Sequence, residues 1–257
     1  MKLKLLALSL LVAAKMYGQS KMVTSNQYGR NEVYYVSEND ANIREGKYGR
    51  FTGGVNPIPI VEGFYHQNLK DGTWSFYSGG GALVAEGKYK EGKKVGVWTG
   101  YTRGFERVKY DFTDNQLLAY IPAGTDTVFL VKAANSTAAI ERRPVYINGI
   151  PTIVAFLSRN IRYPAVAREN RKQGEVIVNV LIDESGHAVD YNISKPFDNQ
   201  IDEEVLRAFK LLDGEWLPGF VKGKPVATVV EVPVVFEINK PDNTPHKPNQ
   251  IIIVRGA

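Results

Sequence analysis

The chain has no cysteine, which removes disulfides, thiolate metal sites, a cysteine nucleophile and a lipid-modified N-terminal cysteine together. Its three histidines, His66, His187 and His246, stand far apart with no H-x-x-x-H ligand spacing, so each reads as a surface residue rather than a metal ligand. No G-x-S-x-G elbow is present, and the glycine run "SGGG" (78–81) lacks the spacings of a phosphate loop. Asp202, Glu203 and Glu204 read as helix capping and electrostatic support, not as an acid/base pair. Neither a catalytic nor a metal or cofactor site is expected. Apolar content of 44% and charged content of 23% are those of a folded protein.

No apolar run reaches the about 20 residues that a spanning helix needs. The first nineteen residues, "MKLKLLALSLLVAAKMYGQ", have the form of an export signal: Lys2 and Lys4 lead, Leu5 to Ala14 are mostly apolar, and Gly18 or Gln19 is the cleavage boundary. This segment holds three lysines and no acid, so the formal charge of +5 becomes +5 − 3 = +2 without it. The basic patches "RENRK" and "KYKEGKK" lack the aromatic platform that single-stranded nucleic acid requires, and nucleic acid is not an expected partner.

A repeat fills the first half. "EGFYHQNLKDGTW" (62–74) returns as "EGKYKEGKKVGVW" (86–98), with Gly63, Tyr65, Gly72 and Trp74 each recurring 24 residues later. "EGKYGRF" (45–51) reads as an earlier, degenerate copy and "VKYDFTDNQL" as a closing strand. Each unit spells an aromatic strand, a Gly/Lys/Asp turn and a second aromatic strand. This predicts an array of hairpins that bury one another's rings. The pattern resembles bacterial MORN-type repeats, in the form also found in YwqK-like antitoxin proteins, which implies a β-scaffold or an interaction surface.

Residues 121–141 read as a linker, with "DTVFLVKA" as one further strand. Beyond them the pattern changes. "YPAVARENRKQG" is a short helix, with Pro164 at its first position and Gly174 just past its end. "EVIVNVLID" and "HAVDYNISK" form a hairpin through Glu184, Ser185 and Gly186. "NQIDEEVLRAFKLL" is amphipathic, with Ile201, Val205, Ala208, Phe209 and Leu212 on one face and Asp198 or Asn199 as cap. "TVVEVPVVFEI" (228–238) closes the series as a strand whose even positions are apolar.

That order resembles the C-terminal domain of TonB energy transducers, most closely the versions of Bacteroidetes-type bacteria. The resemblance rests on Tyr163-Pro164, Gly174, "DESGHAVD", "IDEEVLRAF", Trp216 to Gly219 in W-x-P-G form, "GKPV" (223–226) and "VPVVF", and runs from Arg142 to Ile238. It implies an α+β fold: a C-terminal αββαβ domain over 142–240 with an antiparallel three-stranded sheet, after an all-β MORN-like sheet over 20–120. It also implies a non-enzymatic, periplasmic role. The partner would be a TonB-dependent outer-membrane receptor, gripped at a short segment that pairs with the last strand of the domain.

Two departures qualify the expectation. Transducers keep a membrane anchor, through which they meet inner-membrane motor proteins, and a long spacer; here the N-terminal signal reads as cleavable and repeats take the spacer's place. An anchored form or an adaptor working through the repeat sheet, with room for a homodimer, are the alternatives. Arg162 also stands where several relatives of the family carry glutamine before Tyr-Pro.

Proline lacks an N–H and belongs at an edge or a bulge, so Pro233 predicts that 228–238 is an open edge strand. Backbone groups of alternate residues share a side, which assigns the docking ladder to Val229, Glu231, Val235 and Glu237 beside Pro233, with Arg162 and Tyr163 nearby. The tail, 241–257, is a polar Pro-rich stretch followed by "QIIIVRGA". That β-branched run is expected to compete for the edge, returning antiparallel.

Overall fold

The computed structural model describes residues 20–27, 30–121, 129–135, 137–212, 215–238 and 250–255. The expected export signal, 1–19, and the connecting stretch 239–249 lie outside the described residues. The chain divides into two compact units, Met1–Tyr120 and Ile121–Ala257.

The first unit is a nine-stranded antiparallel meander in chain order: β1 (Ser20–Gln27), β2 (Arg30–Ser37), β3 (Arg44–Thr52), β4 (Pro59–His66), β5 (Leu69–Tyr77), β6 (Leu83–Lys90), β7 (Lys93–Thr102), β8 (Phe105–Asp111) and β9 (Gln116–Tyr120). The 24-residue period has a steric origin. The Trp74 ring lies over Gly63 so closely that a Cβ there would sit 2.3 Å from it, and Trp98 covers Gly87 in the same way, at 2.0 Å. Each indole N–H donates to a carbonyl of the preceding strand, ten residues back, Trp74 to Phe64 and Trp98 to Lys88, both at 3.1 Å. Tyr65 and Tyr89 meet Trp74 and Trp98 edge-on, both at 5.2 Å, the geometry that the ring quadrupoles favour. Tyr48 of the degenerate copy stacks on Trp74 at 5.6 Å. "VKYDFTDNQL" is not one closing strand: it spans the turn between β8 and β9.

In the second unit β10 is Leu130–Ala133 and β11 is Val145–Tyr146. Two helices follow, α1 (Ile150–Asn160) and α2 (Ala165–Glu169). The hairpin β12 (Gly174–Ile182) and β13 (Ala188–Lys195) comes next, then α3 (Asn199–Phe209). Short strands β14 (Trp216–Leu217), β15 (Gly219–Val221) and β16 (Lys224–Val226) lead to β17 (Thr228–Ile238), and β18 is Ile251–Arg255. The principal sheet runs β10-β17-β12-β13, with β18 also paired to β17.

Even residues of β12 and β17 (Val176, Val178, Val180; Val230, Val232, Val234, Phe236) are buried beneath the helices with Ile153, Leu157, Val205 and Phe209. Asp198 caps α3, its carboxylate accepting from the N–H groups of Gln200 (3.1 Å) and Ile201 (3.4 Å). Asp183 holds the hairpin turn by accepting from Ser185 N and His187 N, while Gly186 takes φ 74° there. Trp216 is core, 5.0 Å from Tyr146 across the β11–β14 pair.

Several expectations change. The sheet has five strands, not three, and one pairing is parallel. Residues 130–133, in the strand expected within the linker, belong to it. The helix expected over 163–174 is only five residues long, and Pro164, with ψ 138°, is its cap rather than its first turn. Gly174 does not end that helix; it opens β12, where a Cβ would lie 2.4 Å from the Phe197 ring.

Gly87→Ala forces the Trp98 ring out of its seat and is expected to destabilise the first unit by about 3 kcal/mol. Gly96→Ala, at φ 59° with no atom within 4 Å of its Cβ position, costs about 1 kcal/mol through backbone strain alone. Urea unfolding followed by tryptophan emission separates the two; equal losses would contradict the packing account.

Candidate partner-binding flank

The strand expected to be an open edge is not one. β12 pairs with β17 along residues 228–236 without a register shift. On the opposite flank β10 covers Thr228–Glu231, antiparallel, and β18 covers Val234–Ile238, parallel. Both covering strands lie in stretches read as strands, "DTVFLVKA" and "QIIIVRGA", and the second was expected to compete for this flank; the sequence did not assign the first to β17.

The direction of the backbone groups is fixed by two bonds at the ends of β17. Ala134 N–H donates to Ala227 O at 2.9 Å on the β10 side, and Ile238 N–H donates to the Gln173 side chain at 3.0 Å on the β12 side. Odd residues therefore turn N–H and C=O toward β10 and β18, and even residues toward β12. Pro233 turns its donorless nitrogen to the flank where, among the described residues, neither covering strand pairs with it: β10 stops opposite Glu231 and β18 starts opposite Val234. A proline at an even position would have broken the β12 ladder.

Of the residues assigned to docking, Val229 and Glu231 lie against β10, and the Glu231 carboxylate is ion-paired with Lys132 at 2.8 Å. Val235 and Glu237 lie against β18, facing Ile252 and Val254. Tyr163 meets this strand from the helix side, edge-on to Phe236 at 5.2 Å, and its hydroxyl donates to Lys172 O; burial raises its pKa. Arg162 is placed apart from the ladder. Its N–H donates to Glu204 Oε1 at 2.7 Å, and it borders an open cleft of about 590 Å³ with Gln200, Glu203 and Arg207.

Glu204 does more than support a helix terminus. Arg207 grips it with Nε and Nη2, both at 2.7 Å, and reaches Asn160 O at 2.6 Å. This ties the end of α1, the 161–164 connection and α3 together. No capping pattern announces it; the Glu-x-x-Arg spacing within α3 is its sequence trace.

β18 is anchored by side chains as well as by its ladder. Ile251 and Ile253 are buried in the helix-side core and Val254 is half exposed, while α1 packs against the strand. Gln250 Nε2 donates to Glu175 Oε1 at 3.0 Å, and the same carboxylate holds Lys195 at 3.0 Å. The parallel return, expected to be barely possible, is easy because only the last five residues of β17 are paired. The chain has to travel back about 13 Å, and residues 239–250 supply the dozen residues that a parallel connection needs.

Among the described residues no group of three or more His, Cys, Asp or Glu could hold a metal, and no helix is long and apolar enough to cross a membrane. What the second unit offers is a strand flank divided between two short neighbours.

Residues 159–238 match the family of the Gram-negative bacterial TonB protein C-terminal. The family is non-enzymatic, serves energy transduction for transport, acts in the periplasm and engages outer-membrane receptors. No curated protein matches the chain. The matched span contains α2, β12, β13, α3 and β14 to β17. Both strands that cover the flank, β10 and β18, fall outside it.

Burial pushes the Glu204 pKa up, but the hydrogen bonds from Arg207 and from Arg162 N–H, with the two guanidinium charges, outweigh it and hold the group below its ordinary 4.5. A depressed folded-state pKa stabilises above the unfolded value and loses that contribution as pH falls through the folded one. Glu204→Gln is therefore expected to cost about 2 kcal/mol at pH 7. The gap between the two proteins should narrow as pH falls below the ordinary 4.5; urea titrations at pH 7 and in acid measure it, and a pH-independent gap contradicts the ion-pair account.

Proposed function

We propose that the protein is a periplasmic TonB-type binding protein, exported through residues 1–19, whose second unit takes an extended segment of an outer-membrane receptor as an added strand on the odd-residue flank of β17. The observation that carries this reading is that the flank already accepts strands of two kinds. It pairs with β10 antiparallel and with β18 parallel, and the two are separated only by Val232 and Pro233. Main-chain bonds supply affinity in such additions and neighbouring side-chain pockets supply selectivity. Val235 and Glu237 present the ladder to the incoming segment in the place β18 takes, Val229 and Glu231 hold β10 beside it, and Pro233 limits its length. Tyr163 supports the strand through Phe236, and Arg162 flanks the entrance to the cleft beside α3. The first unit, a MORN-type sheet in this reading, is a scaffold that carries the binding unit.

A photo-reactive residue at Glu237 is expected to cross-link in cells to the periplasm-facing segment of an outer-membrane receptor. The same residue at Val189, exposed on β13, should give none. Equal labelling at both positions, or receptor adducts from β3 of the first unit instead, would overturn the reading.

A further inference from the structure

The half of the flank beyond Pro233 is filled by the chain's own tail, and the manner of filling describes what else would fit. We propose that Gln250–Arg255 is a resident stand-in for the partner segment, so that a partner binds only by exchanging with it. This rests on the strand-addition reading and gives it a ligand class and a regulator.

The ligand class is read from the occupant. β18 runs parallel to β17 over five residue pairs, Val234 with Ile251 through Ile238 with Arg255. Ile251 and Ile253, two apart, are buried in the helix-side core, at 0% and 4% exposure. Ile252 and Val254 take the other face, where selection is weak because Val254 is 44% exposed. Gln250 donates to Glu175 one step before the first buried isoleucine. The site therefore accepts an extended segment with a side-chain donor, then a β-branched aliphatic, any residue, and a second β-branched aliphatic. An acidic residue in the first position would face the Glu175 carboxylate and be rejected.

The exchange follows from connectivity. β17 is held by β12 along nine residue pairs, so releasing β18 leaves the sheet intact. β18 has a neighbour on one side only among the described residues. A tether of this length keeps the tail near the flank at a local concentration of about millimolar, so an untethered segment competes at a disadvantage. β18 lies outside the segment that matches the family.

The chain has no native cysteine, which permits a reversible lock: Glu237→Cys with Val254→Cys, a register pair of the β17–β18 ladder. The probe is a labelled synthetic peptide of residues 250–257, followed by fluorescence anisotropy. A control peptide carries lysine in place of both buried isoleucines. Oxidation of the double variant is expected to weaken probe binding by about tenfold or more, and reduction to restore it. A chain ending at Asn249 should bind the probe at least as much more tightly than the full chain, and the control peptide should bind neither. The lock preserves the packed tail, so it remains informative if the shortened chain unfolds. Equal affinity in oxidised and reduced forms, or no binding to either, overturns the proposal.

Receptor-derived segments added to the same proteins separate the two readings. If they bind locked and unlocked forms equally, exchange fails and receptor binding stands. If the probe binds only the unlocked form and receptor segments bind neither, exchange stands and the receptor reading fails.

Discussion

The second unit depends on one property of an extended chain: each residue of β17 points its side chain to one face and its backbone groups to one flank, and both alternate together. The even residues meet the helices with their side chains and β12 with their amides. The odd residues are left to everything else. A single proline is tolerated at 233 because it falls in the odd set, at the position that two short neighbours leave between them. The buried helix-side core, the uninterrupted β12 ladder and the divided opposite flank are three results of this one parity.

The arrangement around the Glu204 carboxylate serves the same strand indirectly. Arg207 and the Arg162 amide converge on it, Arg207 also donates to Asn160 O, and together they fix the chain between α1 and α2. Tyr163 is thereby set against Phe236, and its ring meets β17 from the core side. The flank and the connection before α2 are thus coupled through packing, although only the strand presents a ladder. The cleft beside Arg162 lies on the α3 side of this connection and has no backbone pairing to offer.

Much of this was legible in the sequence wherever a local rule acted alone. The Gly–Trp period, the Asp198 cap, the Asp183–Gly186 turn and the alternation of β17 each depend on residues near in sequence or on a strict spacing. The parity of Pro233 was legible too, since it follows from the absence of one N–H. Both strands on its flank were legible as strands from their β-branched and aromatic runs, and the tail as an occupant of the edge. That β10 and β18 share β17, one antiparallel and one parallel, was not, because four and five residues carry no signal of which partner they pair with. The parallel direction of β18 departs from the antiparallel return expected because the chain has only the last five residues of β17 to travel back along. Helix α1 is hard to read for a different reason: Gly149 and Pro151 punctuate its start, so the helical spacing of Ile150, Ile153 and Leu157 begins inside what looks like a turn.

The seating of an indole on the glycine of the preceding strand has a consequence for how such a chain can change. Every such Gly–Trp contact lies within one hairpin and reaches no farther. Inserting or deleting one whole 24-residue unit recreates the same junction on both sides, whereas a shift of a single residue misplaces a ring onto a Cβ. The length of the first unit is therefore free to vary in quantised steps, like a ruler with one permitted graduation, while its cross-section stays fixed.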